Sequence, residues 1–179
     1  MRRVKWDISA GAVLLFALMY FFDGSGIVAA AIPAVLVHEL GHVLFLRLQG
    51  KRLTRVRVAL SGLTLDYAGS LHGVDALLCC GAGPLFGLAY AAVALASQQR
   101  FFRLSATVSL LLSLFNLLPV LPLDGGRIVA ALGGPRLARR LSRILAALLL
   151  AAGAVLMAWC GAYSLLLAGA WLTICSFRT

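Results

Sequence analysis

Residues 38–42 of the chain read His38-Glu39-Leu40-Gly41-His42. Histidines four apart on a helix share one face, close enough for both imidazoles to bind one zinc ion. Glu39 stands directly after the first of them, where its carboxylate can take a proton from a metal-bound water and return it to a leaving amine. It is the only glutamate of the chain, and two of the three histidines flank it. The other reading of such a pattern is chance, on a helix whose polar face is solvated. An apolar setting argues against chance, because a charged group inside a bilayer costs at least about 2.5–3.5 kcal/mol and so marks a function.

Two imidazoles leave a catalytic zinc one protein ligand short, since such sites usually have three and keep the fourth position for water. The remaining acids are Asp7, Asp23, Asp66, Asp75 and Asp124. Asp124 has the distinctive setting, Asn116-Leu117-Leu118-Pro119-Val120-Leu121-Pro122-Leu123-Asp124-Gly125-Gly126. Two prolines stop a helix there, and two glycines permit unusual backbone angles after the acid. Such a break is tolerated in a membrane where it lines a protein cavity. The alternative is an ordinary proline-glycine loop whose aspartate caps a segment starting at Arg127. His38, His42 and Asp124 are the expected ligands of one Zn2+ per chain and Glu39 the expected base, although imidazole and carboxylate also suit other divalent ions. His72 reads as a solvated residue at a membrane boundary, a spare ligand or a proton relay. Asn116 either hydrogen-bonds a substrate backbone or satisfies carbonyls of the broken helix.

The elements that must position these groups are membrane helices. Of the 179 residues 62% are hydrophobic and only 12% charged, a balance that suits a bilayer rather than water. The apolar residues fall into six spans, Ile8 to Phe22, Ile27 to Leu46, Val74 to Ala96, Leu104 to Leu118, Ser142 to Cys160 and Tyr163 to Phe177. The expected fold is an all-α polytopic membrane protein read as a single domain over 1–179. Between the second and third spans, residues 53–67 alternate polar and apolar about Ser61-Gly62 and predict a small β-hairpin on the cytoplasmic rim. The formal charge of +10 raises nucleic acid as a partner, but the basic residues cluster at span ends, and no nucleic-acid partner is expected. With both termini cytoplasmic, all of the 16 basic residues except Arg100 and Arg103 fall on the cytoplasmic side, as the positive-inside rule requires. Arg2, Arg3 and Lys5 before the first span resemble a signal peptide. No small-residue cleavage site follows them, so a retained anchor is expected. Cys79, Cys80, Cys160 and Cys175 lack the spacing of a thiolate metal site and are expected to be buried and reduced.

His-Glu-x-x-His followed by Asn-x-x-Pro-x-x-Pro-Leu-Asp-Gly-Gly resembles the site-2 protease family of membrane metalloproteases (peptidase family M50), with both motifs in the family's order. The resemblance implies metal ligation by His38, His42 and Asp124 and base chemistry by Glu39. It also implies intramembrane cleavage of a membrane-spanning or membrane-tethered protein near the cytoplasmic side. The six-span layout looks most like the stage IV sporulation protein FB group, whose members release a membrane-tethered precursor. Ala82-Gly83-Pro84-Leu85-Phe86-Gly87 is similar to a small-residue motif of the family's third span, and its glycines equally suit close helix packing. No PDZ-like insert or C-terminal regulatory domain is expected, which leaves substrate selection to the core, the hairpin or a regulatory membrane partner. Two rival readings use the same ligands, a transporter that passes metal across the bilayer and a zinc-binding scaffold that does not cleave. The spans offer almost no ionisable lining for the first, and the presence of Glu39 argues against the second.

Overall fold

A computed structural model describes residues 4–59, 62–161 and 163–178, so Arg2, Arg3 and the turn position Ser61 lie outside the described residues. In chain order the elements are β1 (Lys5–Ile8), α1 (Ala10–Phe22), α2 (Ile27–Leu48), β2 (Leu53–Ala59), β3 (Gly62–Tyr67), α3 (Gly73–Leu95), α4 (Arg100–Asn116), α5 (Asp124–Cys160) and α6 (Ser164–Arg178). They fall into two units, Met1–Leu71 with Leu85–Ser113, and His72–Pro84 with Leu114–Thr179.

The first unit holds a three-stranded sheet in the order β1-β2-β3. β2 and β3 pair antiparallel with Val56 opposite Leu65, and this is the hairpin predicted over 53–67. β1 was not predicted. It pairs parallel to β2 with Asp7 opposite Arg57, and the first helix starts at Ala10 rather than Ile8. Lys5-Trp6-Asp7-Ile8 alternates polar and apolar residues, the period of a strand, over a stretch too short to separate from the basic lead-in. Arg57 ties the strands together, with Asp66 at 3.3 Å and Asp7 at 3.9 Å. In the same unit the second half of α3 packs on α4. Ser109 donates to the Gly87 carbonyl at 2.9 Å, the Tyr90 and Ser105 hydroxyls lie 2.8 Å apart, and a Cβ on Gly87 would run into the Ser113 hydroxyl. Gly87 is therefore a packing glycine, whereas a Cβ at Gly81 would meet open space.

In the second unit α5 is 37 residues long and is broken at Gly134, whose φ of 83° and ψ of 165° are not helical. Pro135 opens the second stretch, a position where its missing N–H costs nothing. The fifth span was expected from Ser142, but the helix begins at Asp124 and carries the glycines 125 and 126 within its first turn. Farther along, a Cβ on Gly153 would lie 2.5 Å from the Leu166 amide nitrogen, and one on Gly169 would lie 2.7 Å from that of Leu150. The backbones of α5 and α6 thus touch at two reciprocal glycines, the close approach by which membrane helices gain dispersion contacts. Gly153→Leu should force them apart and lower stability by about 1–3 kcal/mol, read as a drop in melting temperature in detergent. Leu148→Ala, at a side chain 60% exposed, is the control. Equal melting of Gly153→Leu and wild type would refute this packing.

The distribution of side chains is inverted relative to a water-soluble core. Ser105, Ser109, Ser113, Ser142 and Ser176 are buried, while Leu14, Phe21, Leu148, Val155 and Trp159 are exposed. Apolar surface on this scale is stable against lipid, not water. Among the described residues three helices are long and apolar enough to cross a membrane, Ile27–Leu48, Gly73–Leu95 and Asp124–Cys160. A helix stands at each of the six expected spans. However, α1, α4 and α6 have 13, 17 and 15 residues, which at 1.5 Å per residue gives about 20–26 Å against a hydrocarbon core of about 30 Å. The cysteines are free, as expected, but Cys160 is exposed rather than buried.

Candidate metal centre

α2 carries the histidine pair, and its start is fixed from outside the helix by Asp23. One carboxylate oxygen accepts from the Val28 amide at 2.7 Å, and the other accepts from the Ser25 and Gly26 amides at 3.0 and 3.1 Å. The Ser25 hydroxyl also donates to Asp23. That hydroxyl first, and then the Val28 amide, hold the Asp23 carboxyl below its ordinary value of 3.8. A carboxylate with a depressed folded-state pKa stabilises the fold fully above its unfolded pKa, and the contribution is lost as pH falls through the folded value. Asp23→Ala should therefore melt earlier than wild type at pH 6, and the two should converge as pH falls through the depressed pKa of the wild-type carboxyl, below its ordinary 3.8. A gap that persists unchanged at low pH would remove this role from the charge.

About three turns into the helix, His38 is buried at 4% exposure, and one turn later His42 is half-buried. Their Nε2 atoms lie 3.3 Å apart, with ring centroids at 5.1 Å and ring planes at 74°. Two nitrogens each bound at 2.0–2.1 Å to one tetrahedral zinc would be separated by about 3.4 Å. The pair thus stands at the spacing that a shared zinc sets. Glu39, half-buried, projects about 100° around the helix from His38.

Asp124, 6% exposed, is the first residue of α5, after Leu123 in extended conformation. A carboxylate suits the positive end of a helix dipole. The helix begins at Asp124 itself and not at Arg127, so the aspartate lies inside the first turn rather than before it. The glycines that follow are helical rather than in unusual conformations, since neither has positive φ. Space is what requires them. A Cβ on Gly125 would strike the Leu117 carbonyl oxygen, and one on Gly126 the backbone of Val120 and Leu121. The first turn of α5 is pressed onto the irregular segment that delivers it.

That segment satisfies its own polar groups, as irregular backbone in an apolar setting must. The Leu118 amide donates to the Phe115 carbonyl at 3.1 Å and the Leu123 amide to that of Val120 at 2.9 Å. The Leu121 amide donates to the Ser142 hydroxyl at 2.8 Å, and that hydroxyl donates to the Ala138 carbonyl at 2.7 Å. Val120 and Leu123 anchor it in a core with Ala146 and Leu172. Ser142 went unnoticed in the sequence; its only signal there is a lone hydroxyl on the buried stripe of an apolar helix.

His38 and His42 lie together on α2 in the first unit, and Asp124, the third ligand expected from the sequence, stands at the start of α5 in the second. Two imidazoles and one carboxylate are a donor set that suits zinc and leaves a position for water. The other acids have different work. Asp7 and Asp66 pair with Arg57, Asp23 caps α2, and Asp75 is exposed in the first turn of α3. His72 is exposed just before α3, and Asn116, half-buried, ends α4.

Residues 78–160 match a family model described as Peptidase family M50. Two curated relatives, both named "Putative zinc metalloprotease Rip3" and coming from two strains of Mycobacterium tuberculosis, are each 36% identical over 128 residues and 64% of this chain. The chain spans about a third of their length, 33%. A solved structure, "Site-2 Protease from Methanocaldococcus jannaschii", superposes with a TM-score of 0.72 at 20% identity, covering 99% of this chain and 92% of that one. Over residues 78–160 the chain is thus similar to peptidase family M50, it is similar to two relatives named as zinc metalloproteases, and its fold is that of the solved site-2 protease.

Proposed function

We propose that the chain is an intramembrane zinc metalloendopeptidase, in which His38, His42 and Asp124 hold the metal and Glu39 is the general base. The observation that carries this reading is the histidine pair flanking Glu39, with Nε2 atoms 3.3 Å apart on an apolar helix. Bound zinc would supply Lewis acidity toward the scissile carbonyl and acidify a water. Glu39 would serve as the proton acceptor for a water and the proton donor to the leaving amine. Burial of His38 and Asp124 keeps bulk water away from the reacting groups.

The substrate in this reading is a membrane-spanning or membrane-tethered protein cut near the cytoplasmic side, as in regulated proteolysis of the sporulation type. The chain crosses the bilayer six times as one catalytic domain with both termini cytoplasmic, and a membrane partner regulates it. A substrate helix enters laterally, unwinds to expose its carbonyls, and adds a strand to the free edge of β3. An apolar groove of about 460 Å³ beside that sheet, lined by Val13, Phe16, Met19, Val35, Val58 and Leu63, suits the unwound segment.

The test is cleavage of a panel of single-span membrane proteins by zinc-loaded protein in liposomes. Cleavage that stops on chelation and returns with zinc supports the protease. One zinc bound per chain, no cleavage across the panel, and zinc flux into the liposomes would favour a transporter instead.

A further inference from the structure

The second stretch of α5 carries Arg136, Arg139, Arg140 and Arg143, spaced i, i+3, i+4, i+7 and therefore on one helix face. They surround a groove of about 710 Å³ whose remaining lining is Gly133, Leu137 and Ile144. The proposed protease chemistry uses none of these residues. Two like-charged i, i+4 pairs on one face, Arg136 with Arg140 and Arg139 with Arg143, repel each other and weaken the helix unless an anion lies between them. No carboxylate pairs with any of the four among the described residues. Arg143 is held over the Phe177 ring at 5.4 Å, a contact that orients the guanidinium without neutralising it.

Guanidinium forks match phosphate oxygens two at a time, so the chemistry that fits the groove is a phosphate anion. Its surroundings specify more. Directly after Arg143 the helix is uncharged from Ile144 to Cys160, and Leu137, Ile144 and Leu148 on this stretch are 45%, 52% and 60% exposed. Charge at the start of an apolar membrane helix lies at headgroup depth, with lipid-facing side chains beyond it. We propose that this groove binds the headgroup of an anionic phospholipid, with the phosphate among the four arginines and the acyl chains along Leu137, Ile144 and Leu148.

The probe is phosphatidylglycerol, measured as lipid retained per chain after the full-length protein is exchanged from mixed phosphatidylglycerol–phosphatidylcholine vesicles into detergent. Wild type should retain phosphatidylglycerol over phosphatidylcholine. Arg139→Gln/Arg140→Gln should reduce that retention about thirtyfold, while Arg100→Gln/Arg103→Gln should leave it unchanged. Arg139→Lys/Arg140→Lys keeps the charge but loses the forks, and should fall between; it carries the test if the glutamine pair does not fold. Millimolar inorganic phosphate should fail to displace the lipid. Displacement by phosphate alone would assign the groove to a free anion and overturn the lipid. Equal retention by wild type and the glutamine pair, or by wild type and the lysine pair where only that pair folds, would overturn the site.

Discussion

Glu39→Gln leaves zinc bound at one equivalent per chain and removes peptide cleavage, a loss of at least about 100-fold in turnover. The amide has the size of the carboxylate and stays on the same turn of α2, so the histidine pair keeps its 3.3 Å spacing and metal affinity is retained. What disappears is the proton acceptor. Glu39 is the only glutamate of the chain, the aspartates 7, 23 and 66 are engaged in the sheet or at the start of α2, and Asp124 is committed to the metal in this reading. Zinc content by mass spectrometry and cleavage of the same membrane substrate together check the prediction. Wild-type turnover in the variant would remove Glu39 from the role. Loss of zinc together with activity would instead make it a determinant of the metal site.

The parts of this architecture legible in the sequence are those written in a local code. His38 and His42 announce themselves because a four-residue spacing on a helix fixes their proximity wherever the helix lies. The hairpin 53–67 shows in its period of two, and the six helices show in apolar blocks, although α5 was read too short. Its first stretch carries Arg127 and the glycines, which dilute the apolar signal, and only packing against residues 117–121 makes a helix of it. β1 was missed for a related reason. Four residues carry little pattern of their own, and their strand conformation depends on β2, some fifty residues away. The glycines 125, 126, 153 and 169 are visible as letters, but whether a glycine supplies a backbone angle or a close approach depends on what faces it. Ser142 is the same kind of case, since its partner is an amide that the prolines leave outside any helix.

That distinction between local code and tertiary requirement bears on Asp124, where two roles compete. As the first residue of α5 it stabilises a helix start, and as a carboxylate it is the third zinc ligand of the proposed function. The roles separate by substitution. Asp124→Ala removes both, whereas Asp124→Asn keeps a side chain of the same shape that serves helix starts equally well but lacks the anionic oxygen. If ligation is the role, both variants lose zinc affinity by at least about 100-fold, the upper end of what losing a residue that merely supports a ligand costs. Asp66→Ala binds zinc as wild type does, because Asp66 serves Arg57 in the sheet. If the role is only structural, Asp124→Asn binds zinc normally and Asp124→Ala shows a lower melting temperature with metal still present. Competition against a chromophoric chelator measures the affinities, and melting in detergent measures the helix. Wild-type zinc affinity in Asp124→Asn would mean that the third ligand lies elsewhere.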